Sequence, residues 1–117
     1  MSGKRSVSKK HKELPPVHLG RCMVDSGQLL IVDPCYLKDF KNDQYSDDPK
    51  HKGKFSYAGC AQASLSKKGA ATLGGGLGVA FGTMWGDGMY DVLGFPNQDG
   101  KIEAIVIPLD IYPDLKP

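Results

Sequence analysis

Turn-forming residues interrupt this chain so often that long helices have no room. Glycine supplies 15 and proline 8 of its 117 residues. Glycine loosens a regular element through its conformational freedom, and proline ends one through its missing donor. What lies between the interruptions is short and apolar, the pattern of strands joined by tight turns. Val17–Val24, then Asp25-Ser26-Gly27, then Gln28–Val32 reads as two strands joined by such a turn. Leu29-Leu30-Ile31-Val32 is continuously apolar, which predicts a strand covered on both faces. Asp33 and Pro34 then suit the N-cap and first turn of a short helix. Tyr36, Leu37 and Phe40 would share its inner face.

The C-terminal third repeats the pattern. Residues 77–84, 89–95 and 101–109 read as three consecutive antiparallel strands, with Pro96-Asn97-Gln98-Asp99-Gly100 as the turn between the last two. In the final strand Ile102, Ala104, Val106 and Pro108 alternate with Glu103, Ile105 and Ile107, giving a core face and a partly covered one. The expected fold is all-β or β-dominated: a small antiparallel barrel or a two-sheet sandwich, with one short helix after Asp33. An open meander leaves strand edges unpaired, so closure or a homo-oligomer is expected, with the glycine-rich segment as one association surface.

The middle of the chain is less regular. Residues 41–54 are dominated by Lys, Asp, Asn, Gln and His and read as a mobile surface loop with Asp47-Asp48-Pro49 at its apex. Residues 55–64 suit a strand with Phe55 and Tyr57 on one face, while the alanines that follow fit strand or helix. Gly74-Gly75-Gly76 invites a phosphate-loop reading, yet no Gly-Lys-Ser/Thr follows. The simpler expectation is a loop and a glycine-bearing strand that another backbone crosses closely; a nucleotide cradle is the alternative.

Length fits one domain with a single core. The chain divides into a disordered basic tail over residues 1–16, a β-rich domain over 17–112 and a flexible C-terminus over 113–117. The formal net charge is +2, but residues 1–13 hold five basic side chains against Glu13, or +4, which leaves −2 for the rest. The folded part therefore presents no obvious nucleic-acid face. Residues 4–12 are either a solubilising extension, a basic arm for nucleic acid or an acidic partner, or a nuclear-targeting signal. No apolar run nears the roughly 18–20 residues that cross a bilayer, and no secretory signal is visible, so no membrane association is expected. Cys22, Cys35 and Cys60 are an odd set without CxxC spacing, which argues against a disulfide scaffold or structural zinc. Reduced thiols in a cytoplasm fit best.

Two segments carry the candidate chemistry. Asp33-Pro34-Cys35-Tyr36 follows a strand, and Trp85-Gly86-Asp87-Gly88-Met89-Tyr90 sets a carboxylate between two glycines. The candidate ligand-binding residues are Asp33, Cys35, Tyr36, Trp85, Asp87 and Tyr90, with no metal among them and the cofactor unknown. Each has an ordinary reading beside the functional one. Asp33 caps the short helix, or aims into a cleft. Asp87 accepts local turn hydrogen bonds, or meets a ligand. Cys35 is a small structural thiol, or a nucleophile lacking an evident histidine partner, since His11, His18 and His51 form no Cys/His pattern. Tyr36 and Tyr90 are half-buried rings that could line a pocket, and Trp85 belongs to the core or stacks on a ligand. Calcium-loop spacing and a Gly-x-Ser-x-Gly elbow are both absent.

At these two segments the chain resembles a family of small bacterial and phage proteins known only as a domain of unknown function. The matching residues are Val24-Asp25-Ser26-Gly27, Asp33-Pro34-Cys35-Tyr36 and Trp85-Gly86-Asp87-Gly88-Met89-Tyr90-Asp91-Val92. The likeness spans roughly residues 20–36 and 77–109, with Trp85 where a smaller or tyrosine-like aromatic is expected. It implies a compact β-rich domain and no particular reaction. The expected function is a non-enzymatic cytoplasmic binding module. Its pocket would form between the two segments and take a small polar or nucleotide-like molecule, or a protein loop. The alternatives are a small hydrolase using Asp33 and Asp87 with a divalent metal or Cys35, and nucleic-acid binding through the basic tail.

Overall fold

The computed structural model describes residues 14–110. The basic stretch 4–12 and the segment 113–117 lie outside the described residues. Six strands run in the order β1 (Val17–Val24), β2 (Gln28–Val32), β3 (Ala70–Leu73), β4 (Gly78–Gly82), β5 (Gly88–Pro96) and β6 (Ile102–Val106). They form two antiparallel three-stranded sheets, β1-β5-β6 and β2-β4-β3, rather than one closed barrel. The chain is thus strand-dominated, as its turn chemistry implies.

The strand pairing differs from a simple meander. β1 and β2 flank the turn at Gly27 (φ 70°), yet they enter different sheets instead of pairing as a hairpin. Likewise β4 does not pair with β5. The hairpins that do form are β3–β4 and β5–β6. Asn97 organises the second: its side chain accepts from the Asp99 and Lys101 amides at 2.8 and 3.0 Å, and its N–H donates to the Lys101 carbonyl at 2.7 Å. The first turns through Gly74 and Gly75, both with positive φ, so the triple glycine reverses a strand. Gly78 gives close passage, because a Cβ there would lie 3.0 Å from the Ile31 carbonyl oxygen.

Asp33 does start a short helix, a 3-10 helix over Pro34–Asp39, and its carboxylate accepts from the Cys35 amide at 3.0 Å. Tyr36 and Leu37 are exposed, however, and only Phe40 of the expected inner face packs on the core. A 3-10 helix has three residues per turn, so the four-residue spacing that would align Tyr36 with Phe40 does not hold. β2 is also not covered on both faces, since Ile31 is 60% exposed.

The strand expected over 55–64 is instead an α-helix, α1 (Tyr57–Ser64). Ser56 caps it, its hydroxyl accepting from the Gly59 amide at 3.0 Å. Ala58, Gly59, Cys60, Ala61 and Ala63 are all buried. Small side chains let α1 lie against β2, β3 and β4. Cys60, Ala63, Leu73 and Ala80 form the core there, with Leu30, Phe40, Phe55 and Ala71 packed around it. Two compact units result, one built on β1, β5 and β6 and one spanning Val24–Gly88.

Candidate functional site

The six sequence-predicted residues fall in three settings. Asp33, Cys35 and Tyr36 lie on the exposed 3-10 helix, where Asp33 is engaged as its cap. Trp85 and Asp87 lie in the exposed turn after β4. That turn is closed by Thr83, whose hydroxyl donates to the Gly86 carbonyl at 2.8 Å while its carbonyl accepts the Gly86 amide at 3.0 Å. Trp85 is 49% exposed and so is not a core residue. Tyr90, on β5, is 2% exposed, a core side chain instead of a half-buried pocket wall.

Ladder register bears directly on whether the two segments meet. Val32 pairs with Gly78 and Gln28 with Gly82. The Asp33 segment therefore leaves β2 at one end of the ladder, and the Asp87 segment leaves β4 at the other. Four residue steps of an antiparallel strand separate those ends, about 13 Å.

Open hollows lie elsewhere in the Val24–Gly88 unit. Two hollows open there, and none of the six residues lines either. The larger, about 520 Å³, is bounded by Lys41, Lys50 and Lys54 with His51 and Asp43. Phe55 and Ser56 complete it beside the start of α1. Three lysines against one aspartate leave a balance of +2 with His51 neutral.

Local hydrogen bonds hold these groups in place. Asp48 caps a second 3-10 helix, Pro49–His51, accepting from the Lys50 amide at 3.0 Å. Gln62 of α1 donates to the Ser46 and Asp48 carbonyls at 2.8 and 2.9 Å. Asp43 accepts the Ala58 amide at 2.8 Å, and its other oxygen lies 3.9 Å from His51 Nδ1. The segment read as a mobile loop is thus tied to the helix beneath it.

The first-turn amides of α1 are already used. Tyr57 donates to the Lys41 carbonyl at 2.9 Å, Ala58 to Asp43 and Gly59 to Ser56. The helix end therefore offers no free first-turn amide. Asp43 itself is favoured there by the helix dipole. Among the described residues no three His, Cys, Asp or Glu side chains converge as metal ligands. No described helix is long and apolar enough to cross a membrane.

Reasoning from sequence passed over this cleft, because Lys41, Lys50, His51 and Lys54 look like an ordinary solvated loop. The available signal was the pair of capping patterns, Asp48-Pro49 and Ser56 with Gly59, which fix that loop at both ends. No protein-family model, no curated protein and no solved structure matches the chain.

Proposed function

We propose that this protein is a binding module for a small anionic molecule, phosphorylated or carboxylated, held in the cleft of Lys41, Lys50 and Lys54. One observation carries the reading: three lysines border a single hollow of about 520 Å³. Ligand pockets typically fall between about 300 and 1,000 Å³, with a few charged groups setting orientation. Phe55 adds an apolar wall, which suits a nucleotide-like molecule with a flat ring beside its charge. Binding is favoured over catalysis because Asp33 and Asp87, the carboxylates a hydrolase would use, depart from opposite ends of the β2–β4 ladder.

Calorimetric titration with inorganic phosphate, AMP and ATP tests this directly. The expected result is binding of at least one phosphorylated probe that weakens as salt rises. The Lys50→Ala/Lys54→Ala double variant should bind about tenfold more weakly, or worse, while keeping its circular dichroism spectrum. Equal affinity in that folded variant, or no binding of any probe, would dismiss the cleft as a ligand site.

A further inference from the structure

The lysines of the cleft lack countercharges. Among the described residues Lys41, Lys50 and Lys54 pair with no carboxylate. Like charges gathered at one hollow repel, and an anion among them would relieve that repulsion. His51 is the group there that can add a further positive charge. Its imidazole lines the same hollow, and its side chain is 25% exposed, within reach of a ligand. Nδ1 lies 3.9 Å from Asp43 Oδ2, beyond hydrogen-bond length, and no other described group bonds the ring.

The charges facing His51 pull in both directions. Asp43, from the loop before the 3-10 helix, favours the imidazolium. Lys50 on that helix, with Lys41 and Lys54 around the same hollow, opposes it. α1 packs against Pro49–His51 and brings only Tyr57 and Cys60 as titratable groups, a phenol and a thiol, classes uncharged in acid. Asp47, Asp48 and Lys52 are near in sequence but do not line the hollow. A bound anion tips this balance, because its charge offsets the lysines and joins Asp43 in favouring the imidazolium.

Resting on the anion-binding reading of this cleft, we propose that His51 takes up a proton from solvent as the ligand enters. Phosphorylated molecules then bind more tightly as pH falls through the range in which imidazole ordinarily titrates, about pH 5 to 8. Linkage fixes the sign. A group that holds its proton more firmly in the complex strengthens the complex while that proton is present, and the gain is lost as pH rises.

The test is calorimetric titration of wild type and His51→Gln with inorganic phosphate, AMP and ATP at pH 5 and pH 8, the two ends of that range. A phosphate group itself loses charge as pH falls through about 6. The readout is therefore the ratio of the two proteins' affinities at each pH, in which that loss cancels. The ratio should be near one at pH 8 and about tenfold in favour of wild type at pH 5. NMR of the full chain gives a second readout, the titration midpoint of the His51 imidazole. It should rise by about one pH unit at saturation with the tightest-binding probe. An equal ratio at both pH values, or an unmoved midpoint in a chain that binds the probe, overturns the proton uptake and leaves the lysine cleft standing. No binding of any probe at either pH removes the cleft itself, and this inference with it.

Discussion

The two sheets are alike in strand number and unlike in cover. α1 touches all three strands of β2-β4-β3, and Leu73 and Ala80 beneath it are fully buried. In β1-β5-β6 the buried positions are Val24 on β1 and Gly88, Tyr90 and Gly94 on β5. On its outer strands Val17, Leu19, Ile102, Ile105 and Val106 are between 38% and 54% exposed. The strands of this sheet also carry His18, Arg21, Asp91 and Glu103, where those of β2-β4-β3 carry no ionisable side chain. A core formed where a helix of small residues could approach the strands closely. The two hollows accompany that difference, for α1 residues or its cap line both of them.

The strongest way to break this contrast is to prevent the helix from approaching. A Cβ on Gly59 would run into the Lys54 backbone carbonyl, which cannot swing aside as a side chain can. Gly59→Ala should cost about 4 kcal/mol or more in urea denaturation, the range reserved for specific steric or polar faults. A smaller but sharper comparison sets Leu73→Ala against Ile105→Ala. Leu73 is 0% exposed and Ile105 54%. The first should cost about 2–5 kcal/mol and the second less than about 1 kcal/mol. Similar losses at both positions would mean that Ile105 is buried in solution, against its 54% exposure here.

What was legible in the sequence follows the range of the interaction. Asp33 as a cap, the turn at Asn97 and the strand spans of β1 and β2 depend on residues a few places apart, and all could be read. Sheet membership could not, because β1 finds its neighbour β5 only after the chain has built the whole Val24–Gly88 unit. α1 was obscured for another reason. Ala58, Gly59, Cys60, Ala61 and Ala63 are buried nearly all round, so no amphipathic stripe marks the helix. The lysine cleft was hidden because charge in a loop carries no sign of what lies behind it. Tyr90 is more buried than expected and Trp85 is not in the core, since a ring's burial depends on neighbours far along the chain.

The smallest expected effect lies on the β1-β5-β6 sheet, where exposed side chains also link β1 and β5. Asp91 accepts from His18 Nε2 at 2.8 Å and lies 3.4 Å from Arg21 Nε. The hydrogen bond from His18, then its charge and those of Arg21, hold the Asp91 carboxyl below the usual carboxylate range. A carboxylate depressed in the folded state binds its proton more weakly there than when unfolded. Its stabilising contribution is therefore complete above the ordinary carboxylate range and fades as pH falls through the lowered folded value. Because these groups are exposed, solvent and salt screen the interaction. Wild type should exceed Asp91→Asn in stability slightly at pH 6, with the gap closing in acid. NMR titration of the Asp91 carboxyl should show its midpoint moving up in His18→Ala. An unchanged midpoint would mean that His18 and Asp91 do not hold each other in solution, leaving β1 and β5 joined there by backbone pairing.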